Sequence, residues 1–231
     1  MSPLHTPYTP GSKAGSGLFV VLEGVSGIGK STLARLLAKR LDATPIHTLT
    51  APHSDWSHTA NRELRPLPQF AFYLSGLLHV SDAVRQALAM GPVVADRYAS
   101  SVIACHAAVN SVGLGQVRQL IAPFRPYLVA PDATFYLISS DRSLKERMEA
   151  KTDVKQDDTD LFDVPGRLDR LRANFMAVAD DDPSALLLPT DDRSPHDLAD
   201  IIVKRLEDRH AQPDRHRRRH PGRPRRRHLP G

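Results

Sequence analysis

Cysteine is nearly absent from this sequence, since Cys105 is the only one among 231 residues. A single thiol excludes an internal disulfide and a cysteine-ligated metal site, and it is typical of a reducing compartment. The chain also has no apolar run long enough to cross a membrane, and residues 1–17 lack the apolar core of a signal peptide. These absences predict a cytoplasmic protein with a loose N-terminal extension.

Acidic residues are scarce only at the C-terminal end, where residues 208–231 hold nine arginines against two aspartates. This tail contributes +7 to a formal net charge of +5, so the rest of the chain sums to −2. The folded part is therefore not a basic nucleic-acid surface. We predict a disordered tail, because it has several prolines and no apolar periodicity. It is either an inert extension or a contact for nucleic acid.

One segment, residues 18–41, carries the strongest signal and reads LFVVLEGVSGIGKSTLARLLAKRL. Its apolar run predicts a buried strand, its glycine-rich centre predicts a phosphate-binding loop, and its spaced leucines predict a helix. In such a loop, backbone N–H groups and the helix N-terminus converge on phosphate oxygens. Lys30 would reach the terminal phosphates of ATP, and Ser31 would hold Mg²⁺. The predicted nucleotide-binding residues are Gly24, Ser26, Gly27, Ile28, Gly29, Lys30, Ser31 and Thr32.

Elsewhere, short apolar runs alternate with helical patterns, which predicts an α/β fold whose parallel sheet is covered by helices on both faces. The predicted strands are 18–23, 45–49, 92–95, 132–138 and 185–189. The predicted helices are 30–41, 69–90, 97–110, 114–122, 141–150, 165–180 and 195–207. We predict one domain over residues 18–207, with a charged lid at about 142–163 that excludes water from the reaction.

A second informative site is Asp96-Arg97-Tyr98, which directly follows the apolar run VVA. Ligands of open α/β sheets bind at the carboxyl ends of strands, so these residues are expected beside the phosphate loop. Asp96 would bind Mg²⁺ or accept the proton of an attacking hydroxyl, and Arg97 would grip an anion. We assign Arg97 and Tyr98 to the substrate. The alternative is a surface ion pair that caps the next helix.

Three features together resemble thymidylate kinases, within the larger group of P-loop nucleotide and nucleoside kinases. They are Glu23-Gly24 before the loop, the DRYxxS pattern of residues 96–101, and the segment PDATFYLISSDRSLKERM. The resemblance implies a P-loop kinase fold with a five-stranded parallel sheet, a lid, a homodimer, and transfer of the ATP γ-phosphate to a thymidine nucleotide. It also implies that Arg97 contacts the acceptor's phosphate and that Phe72 stacks on the acceptor's base. The alternative for Phe72 is a helix residue that faces the core.

The acceptor side departs from the family pattern at three places. Ser26 stands where the loop usually carries an acidic residue, and Gly76 stands where a helix usually bears a base-contacting arginine. The Arg-Glu-Pro-Gly-Gly element after the second strand is missing, and residues 50–56 read TAPHSDW instead. The donor site is therefore kept while the acceptor site is rebuilt, which leaves the identity of the acceptor open.

Residues 50–56 also resemble deoxynucleoside kinases through Pro52-x-x-x-Trp56, although Ala51 stands where that group has its general base. Trp56 is predicted to line the acceptor pocket, with simple packing as the alternative. If the acceptor is a hydroxyl compound, Asp96, Asp55 or Glu23 would have to take its proton.

The leading hypothesis is an ATP-dependent kinase acting on a nucleoside monophosphate or nucleoside. Its predicted catalytic residues are Lys30, Asp96, Arg97 and the lid residue Arg147, which would bring a second cation to the transferred phosphate. One alternative is a phosphotransferase acting on the hydroxyl of a nucleoside analogue, antibiotic or other metabolite. Another is a nucleotide-responsive protein that binds nucleic acid through its arginine-rich tail.

Overall fold

The computed structural model describes residues 17–150 and 161–210. Its strands are β1 (Phe19–Glu23), β2 (Thr44–His47), β3 (Val93–Asp96), β4 (Ala133–Ile138) and β5 (Ala185–Pro189). All pairings are parallel, and the order across the sheet is β2-β3-β1-β4-β5. The predicted five-stranded parallel sheet is confirmed, with each strand within two residues of its predicted bounds.

Helices cover both faces of this sheet. They are α1 (Lys30–Arg40), α2 (His53–Glu63), α3 (Pro66–Leu88), α4 (Ala99–Asn110), α5 (Leu114–Ile121), α6 (Asp141–Glu149), α7 (Arg167–Asp180) and α8 (Pro195–His210), with a short 3₁₀ helix at Ala122–Tyr127. None of the helices in the described ranges is long and apolar enough to cross a membrane.

The central strand β1 explains why the sheet needs two helical layers. All five of its residues are buried, and successive side chains point to opposite faces of the sheet. Val20 and Leu22 pack into one core cluster with α1 and α8, while Phe19 and Val21 pack into a second cluster with α3 and α5. The loop that follows β1 is therefore anchored in the middle of the molecule.

Two elements were not predicted. The helix α2 has the sequence HSDWSHTANRE, in which Ala60 is the one buried residue, so it lacks the apolar stripe that identifies a helix in a sequence. The 3₁₀ helix at Ala122–Tyr127 contains two prolines, and proline inside a segment argues against a helix in a sequence. The helix α3 also begins at Pro66, three residues before its predicted start, because proline is tolerated in a first helical turn.

Several predicted segments lie outside the described residues. These are most of the N-terminal extension, residues 151–160 of the predicted lid, and the arginine-rich tail from residue 211. The described part of the predicted lid includes α6, and α8 runs three residues past its predicted end at residue 207. The predictions for the tail and the lid stay predictions.

Candidate active site

The phosphate loop connects β1 to α1 and is packed tightly from behind. Gly24 has φ +139, and a Cβ atom there would lie 2.9 Å from the carbonyl oxygen of Leu137 in β4. Gly27 has φ +78, and a Cβ atom there would lie 2.1 Å from Sδ of Met148 in α6. The positive φ favours glycine at both positions, and at Gly24 the backbone of β4 also leaves no space for a side chain. The loop is thus packed against β4 and α6.

Lys30 is the buried first residue of α1, and its Nζ donates a hydrogen bond to the carbonyl oxygen of Val25 at 2.6 Å. Burial, and to a smaller extent the nearby charge of Arg97, lowers the pKa of Lys30 to about 7. The charges of Asp96 and Glu23 act in the opposite direction. Lys30 and Arg97 are therefore two positive groups to which a phosphate group can bind.

Ser31 and Asp96 are brought together although they are far apart in the sequence. Oγ of Ser31 donates to Oδ2 of Asp96 at 2.5 Å. Oδ1 of Asp96 is buried and has no hydrogen-bond partner among the described residues. A buried carboxylate oxygen needs a partner, and hydroxyl and carboxylate oxygens are ligands that Mg²⁺ prefers. The residues present therefore fit the ion that the sequence predicts.

Arg97 lies at the carboxyl end of β3, with a half-buried side chain. Its Nη1 donates to the carbonyl oxygen of Gly24 at 3.1 Å and to Oγ of Ser101 at 2.9 Å. Within the described residues these are the only hydrogen bonds of its side chain, so Nε and Nη2 have capacity for an anion. The guanidinium group is therefore fixed next to the phosphate loop with two donors available.

Tyr98, which the sequence assigned to the substrate, lies in the core instead. It is 3% exposed, and its ring meets Phe19 edge-on at a centroid distance of 5.2 Å. Burial raises the pKa of Tyr98 to about 12, so the phenol stays neutral. The first residue after Arg97 turns inward because α4 begins there, and this direction cannot be seen in the DRY pattern.

Trp56 also differs from its prediction, because its side chain is exposed to solvent. It lies on α2, and its side chain is 64% exposed. The sequence predicted that Trp56 lines the acceptor pocket, whereas α2 begins at His53 and carries Trp56 on the outside of the molecule. The structure therefore does not place Trp56 in a pocket.

Phe72 lies at a corner formed by α2 and α3. Its half-buried ring is 5.5 Å from the ring of His53 and 5.3 Å from that of Tyr73. A Cβ atom at Gly76, one turn further along α3, would lie 2.6 Å from Cδ2 of Leu49 and 3.3 Å from Cγ of His53. Leu49 and His53 therefore occupy the space in which the resemblance would have placed an arginine.

Arg147 is tied to the back of the phosphate loop rather than free on a lid. Its Nη1 donates to the carbonyl oxygen of Ile28 at 3.2 Å and to Oγ1 of Thr190 at 2.8 Å, and its Nη2 donates to the carbonyl oxygen of Thr190 at 2.7 Å. The structure therefore assigns Arg147 to a brace between the loop and the end of β5. The sequence could not reveal this, because Thr190 has no motif of its own.

The remaining predicted loop residues differ in what they offer a nucleotide. The side chain of Ile28 is buried in the core, so only its backbone is available. Ser26 and Gly27 are half-buried, while Gly29, Ser31 and Thr32 are exposed. Sequence reasoning gave no site role to His53 or Ser101. The available signals for Ser101 were its place as the last residue of the DRYxxS pattern and its position four residues after Arg97, which places both on one side of the helix start.

Comparison with known proteins shows the family to which the chain belongs. The family model for thymidylate kinase matches residues 22–194. The chain is 31% identical over 209 residues to a thymidylate kinase of Cutibacterium acnes, covering 82% of this chain and 96% of that protein. It is 30% identical over 179 residues to a probable thymidylate kinase of Natronomonas pharaonis, covering 72% of this chain and 85% of that protein.

Solved structures show the same fold. A thymidylate kinase from Candida albicans superposes with a TM-score of 0.70 at 18% identity, covering 84% of this chain and 92% of that one. A deoxyadenosine kinase from M. mycoides superposes with a TM-score of 0.62 at 16% identity, covering 83% of this chain and all of that one. The predicted P-loop kinase fold and the predicted phosphotransferase class are confirmed, and the chain belongs to the thymidylate kinase family of ATP-dependent nucleotide kinases.

Proposed function

We propose that this kinase transfers the γ-phosphate of magnesium-bound ATP to the phosphate of a pyrimidine nucleoside monophosphate, with thymidine monophosphate as the first candidate. The observation that carries the proposal is the placement of Arg97. Its guanidinium group lies against Gly24 of the phosphate loop and keeps two donors for an anion. A second fixed cation with two available donors at this place suits an acceptor that brings a phosphate of its own.

The chemistry follows from the groups around this point. An oxygen of the acceptor's phosphate attacks the γ-phosphorus of ATP, the bond from that phosphorus to the bridging β-phosphate oxygen breaks, and ADP leaves. Lys30 and Arg97 balance the charge of the transferred group and of the acceptor's phosphate. Mg²⁺, held by Ser31 and Asp96, would neutralise charge on the β- and γ-phosphates. A phosphate acceptor brings its own anionic oxygen, so Asp96 serves the metal and no general base is needed.

The base of the acceptor is expected against Phe72. This ring stands beside His53, whose Nε2 is 3.1 Å from Oγ of Ser75 and whose Nδ1 is buried without a partner among the described residues. Because Leu49 and His53 fill the space next to Gly76, the base must be recognised here without an arginine side chain. An imidazole donates or accepts a hydrogen bond according to its tautomer, so we expect a wider choice of pyrimidines than arginine would allow.

Replacing His53 with alanine is expected to raise the KM for the best monophosphate roughly 2- to 12-fold, because the hydrogen bond that its imidazole would make to the base is worth about 0.5–1.5 kcal/mol. The KM for ATP should stay unchanged. Steady-state kinetics at saturating ATP measure the effect. His58→Ala is the matched control, since His58 is an exposed histidine on the same helix. Equal KM values in the two variants would remove His53 from the acceptor site.

The proposed function is tested by an acceptor screen of the purified full-length protein with ATP and Mg²⁺. The acceptors are five deoxynucleosides, each supplied as the nucleoside and as the 5′-monophosphate: thymidine, deoxyuridine, deoxycytidine, deoxyadenosine and deoxyguanosine. The formation of ADP is measured with each of them. We expect acceptor-dependent ADP with pyrimidine monophosphates and little with any nucleoside. Faster turnover with nucleosides would support the hydroxyl-directed alternative and would overturn the proposal.

We also infer that two copies of the chain form a homodimer through α2 and the start of α3. Three large apolar side chains are exposed there, namely Trp56, Leu64 and Leu67, at 64%, 40% and 61%. Light scattering is expected to give twice the chain mass, and Trp56→Asp with Leu67→Asp should give a monomer. Met90→Asp is the control, because Met90 is 82% exposed just past the other end of α3. A monomeric parent protein would contradict the inference.

A further inference from the structure

Arg97 has a backbone conformation that needs support. Its φ is +72, in the left-handed region that residues other than glycine rarely adopt because it is strained. Its backbone N–H donates to the carbonyl oxygen of Leu22 at 2.9 Å. This contact fixes one side of the residue, while the chain that follows must be held separately.

Glu23 supplies that second support. It is the last residue of β1, its side chain is 0% exposed, and its Oε1 accepts from the backbone N–H of Tyr98 at 2.8 Å and of Ser101 at 3.1 Å. These N–H groups belong to the residue after Arg97 and to the first turn of α4. A carboxylate at this position caps the helix and is favoured by its dipole. The turn that contains Arg97 is therefore fastened to β1.

The other oxygen of Glu23 reaches the Arg97 side chain through one intermediate. Oε2 accepts from Oγ of Ser101 at 2.5 Å, and the same Oγ accepts from Nη1 of Arg97 at 2.9 Å. The donors and acceptors are consistent along the whole chain of atoms, because the serine hydroxyl has one proton to give and lone pairs to receive. The carboxylate thus orients the guanidinium group without touching it directly.

The carboxylate of Glu23 and the guanidinium group of Arg97 also interact through their charges. Burial raises the pKa of Glu23 to about 7, against the hydrogen bond from Ser101 and the charge of Arg97, both of which favour the carboxylate. Lys30 also faces this group, since the Glu23 charge raises the pKa of that lysine. Both oxygens of Glu23 already accept hydrogen bonds from Ser101 or Tyr98, so this carboxylate is not placed to take a proton from an acceptor.

We propose that Glu23 is a positioning residue which, through Ser101, holds the Arg97 guanidinium group in place for the acceptor's phosphate. This inference rests on the proposed function, because it needs a phosphate-bearing acceptor. Loss of the hydrogen bonds from Arg97 to Ser101 and from Ser101 to Glu23 should weaken binding of the acceptor. Binding of ATP through the phosphate loop should stay intact.

The test measures kcat and KM for both substrates in Ser101→Ala, Arg97→Ala and the double variant, with thymidine monophosphate and ATP. We expect Ser101→Ala to raise the KM for the monophosphate roughly 3- to 30-fold with the KM for ATP within about twofold. In the Arg97→Ala background the serine substitution should add less than about twofold, because the two residues act as one unit. Ser100→Ala is the control, since that hydroxyl lies 2.8 Å from Oη of Tyr136 and not on Arg97.

Glu23→Gln should resemble Ser101→Ala, because an amide nitrogen in place of Oε2 has no lone pair for the serine proton. If this buried variant fails to fold, the comparison of Ser101→Ala, Arg97→Ala and the double variant still tests the role of the hydrogen bonds. Multiplicative effects of Ser101→Ala and Arg97→Ala, or an equal rise in the KM for ATP, would overturn the inference. Absence of monophosphate-dependent ADP in the unmodified enzyme would instead overturn the proposed function.

Discussion

Replacing Lys30 with alanine is expected to lower kcat on the order of 10²–10³-fold, as does removal of a preorganised donor to a transition-state oxygen. The ammonium group is buried in the phosphate loop, where its charge is poorly screened and acts strongly on a nearby phosphate. Single-turnover measurement of ADP formation with the preferred monophosphate separates this effect from product release.

The matched control is Lys39→Ala. Lys39 lies in the last turn of the same helix and is exposed, so its loss should leave kcat within about twofold. If the Lys30 and Lys39 variants behaved alike, the loop would not be the site of phosphoryl transfer. Circular dichroism of both variants checks that the fold is kept.

Arg97→Ala is the second large effect, and it should act on the acceptor rather than on ATP. Hydrogen bonds to charged groups are worth about 1.5–3 kcal/mol, so kcat/KM for the monophosphate should fall roughly 10- to 150-fold. Any residual turnover with the unphosphorylated nucleoside should fall less, because that substrate has no phosphate of its own for the guanidinium group to bind. Steady-state kinetics with thymidine and its monophosphate give both numbers.

Arg62→Ala serves as the control for this loss of charge. Arg62 is exposed on α2 and pairs with Glu63 at 3.0 Å, so removing it should change neither substrate's kinetics. Equal losses of the monophosphate and nucleoside activities in Arg97→Ala would indicate a general collapse of the site and would contradict a role in phosphate binding.

The donor half of the site could be predicted because its determinants are adjacent in the chain. Strand β1, the glycine loop and α1 follow one another within residues 18–41, so the spacing of Gly24, Gly29 and Lys30 already encodes their geometry. The approach of Asp96 to Ser31 also followed from topology, since β3 pairs directly with β1 and the carboxyl ends of parallel strands share one edge.

The acceptor half could not be predicted because it depends on contacts between distant segments. The polar helix α2 carries no apolar stripe, so no pattern indicates that His53 and Leu49 pack on Gly76 of α3. Tyr98 turned into the core and Arg147 onto Thr190 for similar reasons, since their partners lie far away in the chain. A motif names the residue types of a site, whereas the direction of each side chain is set by tertiary packing.

The central claim is that a phosphoryl group passes from ATP onto a phosphate that a nucleotide already carries. Its most direct test uses ATP labelled with ³²P at the γ-position, Mg²⁺ and unlabelled thymidine monophosphate, followed by chromatographic separation of the products. We expect the label to appear in thymidine diphosphate, in an amount equal to the ADP formed. Label recovered only as inorganic phosphate, or transferred to the hydroxyl of thymidine in preference to the monophosphate, would contradict it.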